Sequence, residues 1–309
     1  MILTPSEKVE EYTRKGWWGS STLWNLFQRH LDARPHAEAV VDAPNRPDFA
    51  HGAPQRLTWG QLAEQVDRFC VLLLEVGTPR DGILLVQLPN CVEQFIVYMA
   101  CARLGIIVTP VPVQYREHEL EQILEITHAV GVVTFTRIGK PEGGHPSAEM
   151  FAHMRPKHPA LRHFLAWGDE VPQGFVDVGR HTARALTAAQ YAQLEDAERS
   201  AAVSANDVFT ICWTSGTEAQ PKGVPRSHNQ WLVVGPTIVD AGRIGPHARI
   251  LNPFPLVNMA GLSTGLAAWL LVGATVVQHH PFTLPVFLQQ LRDERIDYTV
   301  AAPAVLNML

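Results

Sequence analysis

The sequence predicts an α/β protein built of two layers, each a set of buried strands covered by helices. Apolar runs of strand length alternate with runs of helical period, and the strand runs are apolar on both faces instead of alternating. The first series reads ILLVQL (83–88), VEQFIVYMACARLG (92–105), IIVTPV (106–111), EHELEQILEITHA (117–129) and VGVVTF (130–135), which is βαβαβ. A second series reads DVFTICW (207–213), a helix from His228, ARILNP (248–253), a helix from Asn258, ATVVQ (274–278), LPVFLQQLRDERI (284–296) and DYTVAA (297–302). Strands joined by helices imply parallel pairing with both faces covered.

Polar stretches rich in turn or small residues separate the series, at 137–160 and at 195–207, and the second is the expected subdomain boundary. APNRPDFAHGAPQ (43–55) carries three prolines without periodicity and reads as an exposed loop. The sequence stops at AAPAVLNML, where a new helix is expected to begin, so it reads as an incomplete stretch of a longer protein.

A chain of 309 residues, 46% hydrophobic and 18% charged, has the composition of an ordinary globular protein able to bury a large core. The net charge of −5, with no basic stripe, argues against a nucleic-acid partner. Cys70, Cys91, Cys101 and Cys212 are scattered without metal-ligand spacing, and three lie in apolar runs, which suits a reducing cytoplasm. The start, MILTPSEKVEEYTRKGWW, is too charged for an export signal. MAGLSTGLAAWLLVGATVV (259–277) is apolar enough to raise a membrane span, but Gly273 divides it and Pro253 and Pro255 precede it, so a buried helix followed by a strand is expected.

The chemistry concentrates in WTSGTEAQPKGVPRSH (213–228), which follows a buried strand. Thr214, Ser215 and Thr217 supply hydroxyl donors, Gly216 and Gly223 permit close backbone approach, and Lys222 supplies a mobile cation; the combination suits a polyphosphate, against the plainer alternative of a solvated turn rich in small residues. It is no Walker A loop, because that pattern needs Gly-Lys followed by Ser or Thr, whereas the order here is Lys222-Gly223-Val224. Ser227 and Gln230 form a capping box that starts the next helix, which makes His228 a helix-entry residue instead of a catalyst.

This stretch resembles the signature of the acyl-adenylate-forming superfamily: an aromatic residue, T-S-G-T-T-G-x-P-K-G-V, then a Ser-His pair. Trp213, Thr214 to Thr217, Pro221 to Val224 and Ser227-His228 match, while Glu218 and Ala219 replace a threonine and a glycine. RLTWGQL (56–62), VQLPNCVEQFIVYMACARLGIIVTPV (86–111) and YREHELEQIL (115–124) are similar to scaffold elements of the same superfamily, and NPFPLVNMAGL (252–262) resembles its P-x-x-H-x-x-G-L element beside the acyl pocket, with Asn258 in the histidine's place.

The resemblance implies two flavodoxin-like α/β layers of an N-terminal domain spanning 1–309, with a C-terminal domain beyond Leu309. It implies ATP-dependent activation of an acyl, aryl or alicyclic acid to acyl-AMP and transfer to coenzyme A or a carrier-protein thiol, with Mg²⁺ as cofactor. Thr214, Ser215, Gly216, Thr217, Lys222 and Gly223 would then hold the ATP phosphates, and Trp213, Asn258, Met259 and Gly261 would border the acyl pocket. Asn258 is equally an N-cap for the helix after it. The superfamily's catalytic lysine would follow Leu309, leaving no catalytic residue assigned within this stretch. Two other classes remain: a module that binds nucleotide or acyl-adenylate without making it, and an α/β-hydrolase using Ser263 of GLSTG (261–265), whose triad order fails for want of a downstream Asp-then-His pair.

Overall fold

The computed structural model describes residues 1–214 and 221–307. In chain order the strands are β1 (Glu38–Val41), β2 (Arg56–Thr58), β3 (Ile83–Gln87), β4 (Ile107–Pro110), β5 (Gly131–Phe135), β6 (His163–Trp167), β7 (Val176–Asp177), β8 (Val208–Trp213), β9 (Gly223–Ser227), β10 (Arg249–Asn252), β11 (Thr275–Gln278) and β12 (Tyr298–Thr299). They form a seven-stranded sheet, β7-β6-β5-β3-β4-β8-β9, and a five-stranded sheet, β12-β10-β11-β1-β2. Pairing is parallel except for β1 with β2 and β8 with β9. The two expected α/β layers are therefore present.

Their membership differs from the order of the two series. β8, expected to open the second series, pairs with β4 of the first sheet, Val108 opposite Thr210. Conversely, β1 and β2, which the two series leave out, complete the second sheet, with Val40 opposite Val276 of β11. Burial explains the exchange: β4 and β11 are buried along their whole length, so each takes a neighbour on the side its own series leaves open. Residues up to Ala201 of the stretch at 195–207 end the helix Ala188–Ala201, capped by Thr187.

The helix Val92–Leu104 is buried on nearly every side, as a mostly apolar helix in a large core is, with Glu93 and Gln94 buried as well. Phe95 meets the ring of Trp269 edge-on at 5.0 Å, and Trp269 stacks on Trp59 at 4.8 Å, so one continuous core reaches both sheets. Each such aromatic pair adds about 0.5–1.5 kcal/mol beyond its buried area. The scaffold motifs have local causes. Thr58 and Gln61 form a capping box on the helix Trp59–Glu75, and the Arg116 amide donates to Glu119 Oε2 at 2.9 Å to start the helix Glu117–Thr127.

The stretch 43–55 is exposed at Pro44, Pro47, Asp48 and His51 to Pro54, as its prolines suggest, but four of its residues are buried. Arg46 turns inward, 2% exposed, and donates to Asp42 and Glu93 and to the His51 carbonyl. Two carboxylates around one guanidinium leave a buried negative excess; burial and the Glu93 charge push Asp42 up to about 6. The four cysteines are buried and free. Among the described residues no helix is long and apolar enough to cross a membrane; the apolar run from Met259 is a helix ending at Val272, then β11.

Candidate adenylate site at the meeting edges of two sheets

β8 is buried at Val208, Phe209 and Thr210 and delivers Trp213 to the carboxyl edge of its parallel neighbours, the edge at which open α/β sheets bind ligands. β9 then returns antiparallel, Trp213 opposite Gly223 and Val208 opposite Ser227. At the edge, the Thr214 N–H donates to the Lys222 carbonyl at 3.1 Å and closes the base of the turn. The Thr214 and Lys222 side chains are exposed there. Ser215, Gly216 and Thr217, with Glu218 and Ala219, lie outside the described residues.

The Trp213 indole N–H donates to Thr109 Oγ1 of β4 at 2.7 Å, and the Thr109 hydroxyl donates to the Ile211 carbonyl at 3.2 Å. This fixes the ring over Gly223, where a Cβ would lie 2.9 Å from Ile211 Cγ2 and 3.1 Å from the indole. Gly223 thus has a packing reason that its sequence context did not reveal. β9 tolerates Pro225 because it is the last strand of its sheet.

The hairpin carries the other end of the motif away from the turn. Ser227 caps the helix His228–Leu232 through the expected box with Gln230, and His228 sits at the amino edge of the sheet. Its Nδ1 accepts the Leu23 N–H at 3.2 Å and its ring stacks on Phe209 at 5.3 Å. Burial lowers His228 to about 4, so at neutral pH it is an uncharged hydrogen-bond acceptor. It is a helix-entry residue, as the capping box implied.

The second sheet meets the first beside the carboxyl end of β3. After β10, residues 253–258 lead to a helix that Asn258 caps, its Oδ1 accepting the Gly261 N–H at 3.1 Å. The capping role expected for Asn258 is realised; Asn258 and Met259 are both exposed. Gly261 is buried, and a Cβ there would fall 2.0 Å from the Pro255 carbonyl oxygen, so this reversal admits only glycine.

Ser263 is not at a nucleophile elbow. It lies inside the π-helical turn Leu262–Ala267, buried, its hydroxyl without a partner, and β10 ends well before it at Asn252. The glycines around it serve packing: beyond Gly261, a Cβ on Gly265 would reach Leu256 Cδ2 at 2.7 Å. The hydrolase alternative is thereby overturned.

Sequence reading missed what joins the two sheets. Asn90, in the turn after β3, donates to the Phe254 carbonyl at 2.8 Å and the His279 carbonyl at 3.3 Å, and accepts the Leu256 N–H at 3.0 Å. Tyr98 and Gln94 donate to the Leu256 carbonyl. The available signal was polar residues spaced four apart, at 90, 94 and 98, in a run whose other residues are apolar except Glu93. The carboxyl ends of β3, β10 and β11 therefore meet at one buried asparagine.

A cavity of about 490 Å³ lined by His51, Thr136, Arg137 and Asp169 lies at the carboxyl ends of β5 and β6, separated from β8 by β3 and β4. Among the described residues no group of three His, Cys, Asp or Glu side chains is gathered for a metal ion. An exposed ammonium and hydroxyl on a sheet's carboxyl edge fit phosphate oxygens, and magnesium arriving with a nucleotide takes most of its ligands from phosphates and water.

The chain matches the AMP-binding enzyme family over residues 27–309 and belongs to it. It is 27% identical to the 2-hydroxy-7-methoxy-5-methyl-1-naphthoate–CoA ligase of Streptomyces carzinostaticus, over 98% of this chain and 52% of that protein. It is also 27% identical to the salicyl-AMP ligase / salicyl-S-ArCP synthetase of Mycobacterium tuberculosis, over 74% of this chain and 37% of that protein. In fold it resembles the apo structure of Mycobacterium smegmatis MbtA, with a TM-score of 0.79 at 21% identity, covering 99% of this chain and 52% of that one. The chain spans about half the length, or less, of the curated relatives it matches.

Proposed function

We propose that this chain is the N-terminal domain of an AMP-forming acid–thiol ligase. A carboxylate oxygen bonds to the α-phosphorus of ATP, the bond from that phosphorus to the bridging oxygen breaks, and pyrophosphate leaves. The thiolate sulfur of coenzyme A, or of a carrier protein, then bonds to the acyl carbon and AMP departs. The observation that carries this reading is the juxtaposition across one edge: the turn closed by Thr214 and Lys222 caps β8, while the Asn90 bonds bring the carboxyl ends of β10 and β11 against that of β3. Lys222 and the hydroxyls of Thr214, Ser215 and Thr217 hold the β- and γ-phosphates, with Gly216 and Gly223 allowing the backbone to approach. Trp213 and the Asn258–Gly261 turn border the acid. The named activities of the two ligase relatives support both the acid and the thiol acceptor, and they divide between coenzyme A and a carrier protein.

Catalysis on this side is positioning and charge stabilisation: the turn draws charge onto the leaving pyrophosphate, and the opposite wall sets the carboxylate in line. Magnesium bound with ATP would supply further neutralisation of phosphate charge. The buried, free cysteines agree with a cytoplasmic setting. The test is ATP–pyrophosphate exchange by the intact protein with a panel of aryl, alicyclic and medium-chain acids. Exchange that depends on one class of acid is expected; nucleotide binding without exchange for any acid would instead make this a binding module.

A further inference from the structure

We propose that Asn90, Gln94 and Tyr98 form a positioning ladder that sets the acid-facing segment Phe254–Met259 against the phosphate turn; its kinetic consequence rests on the ligase reading above. Three side chains spaced four residues apart lie on one face of a turn and the helix it enters. All three are buried, Gln94 and Tyr98 completely. All three bond to the main chain of a segment some 160 residues away: Asn90 to the Phe254 carbonyl and the Leu256 N–H, Gln94 at 3.3 Å and Tyr98 to the Leu256 carbonyl.

The segment needs this grip because it has little structure of its own. It runs between β10 and the Asn258-capped turn, and Pro253 and Pro255 have no N–H to give. Outside hydrogen bonds are therefore what define its path, and among the described residues they come from this ladder and from Asn252, whose amide donates to the Phe254 carbonyl at 3.0 Å. Burial raises the Tyr98 phenol far above its ordinary range, so its hydroxyl stays protonated and donates. The ladder stands on the helix that follows β3, and β3 pairs with β4, the strand whose Thr109 orients Trp213. A displacement of 254–259 would thus shift the acid relative to the phosphates while leaving the phosphate turn in place. These are positioning residues; none of them is placed to touch a reacting atom.

Tyr98→Phe removes one donor and keeps the ring; Asn90→Asp keeps the shape and the acceptor but loses two donors. Backbone hydrogen exchange in the intact protein reads the grip directly. In both variants exchange at Phe254 and 256–259 should quicken about tenfold or more while β3 and β4 stay protected. Unchanged exchange in that segment, or a rise spread through the whole core, would overturn the ladder. In pyrophosphate exchange the KM for the acid should rise about fivefold in Tyr98→Phe, with the KM for ATP within about twofold of the parent; a fall in kcat at unaltered acid KM would reduce the ladder to a structural brace. A parent protein inactive with every acid would sink the ligase reading, while hydrogen exchange still decides the ladder.

Discussion

The two walls of the site are held in opposite ways. The proposed phosphate turn belongs to a hairpin: residues nearby in sequence pair with one another, Trp213 with Gly223 and Val208 with Ser227, and among the described residues a long-range bond, indole to Thr109, orients the ring. The facing segment is held mainly from far away, by Asn90, Gln94 and Tyr98, and its one reversal depends on the missing side chain of Gly261. Remote anchoring ties the segment after β10 to the first sheet, so on the proposed reading the fold as a whole sets the distance between acid and phosphates.

The largest effect expected from breaking one side is on the remote wall. Gly261→Ala should destabilise the protein by about 3 kcal/mol, because the new Cβ meets a backbone oxygen that cannot swing aside. Urea unfolding measures this, and a loss below about 1 kcal/mol would mean that the reversal is looser than described.

A comparable effect, tied to pH, is expected at the far end of the hairpin. His228 is held at about 4 in the folded chain, against an ordinary value near 6.5, so as pH falls through 6.5 the unfolded chain takes up a proton that the folded one refuses. The stability contributed is therefore present above about pH 6.5 and lost progressively down to about pH 4, to the extent of roughly 3 kcal/mol. His228→Gln keeps an acceptor for the Leu23 N–H without the titration. Its unfolding free energy should fall less steeply than the parent's between pH 7 and 4; parallel curves would show that His228 is not the cause.

The smallest effect is expected at Ser263. Its hydroxyl is buried without a partner, so Ser263→Ala should change stability by less than about 1 kcal/mol, toward greater stability, and leave acid activation unchanged. Labelling of Ser263 by a fluorophosphonate would restore the nucleophile reading.

The same contrast explains what the sequence revealed. The stretch Trp213–His228 stood out as a candidate because its residues are adjacent, hydroxyls, glycines and a lysine within one short run, and the Ser227–Gln230 box expected at its end is present. β3, β4, β5, β8, β10, β11 and β12 were legible from their apolar runs; β1, β2, β6, β7 and β9 were not, nor was the placement of β8 in the first sheet, because that depends on which edge is left to cover. Asn90, Gln94 and Tyr98 were hidden in a stretch read for its hydrophobicity and as scaffold, since their partners are backbone atoms that no side-chain pattern announces. Arg46 was hidden likewise: a charge in a proline-rich loop reads as solvated until Asp42 and Glu93 are found around it.

The central claim is that the turn between β8 and β9 holds the phosphates of ATP through Lys222. Calorimetric titration of the intact protein with magnesium-ATP and, separately, with adenosine tests it most directly, comparing the parent with Lys222→Ala. Because Lys222 is exposed, the substitution should leave stability unchanged. A charge-assisted contact of about 1.5–3 kcal/mol predicts that ATP binds some 10- to 150-fold more weakly while adenosine binds as before. ATP binding untouched by the substitution, or weakened no more than that of adenosine, would contradict the account.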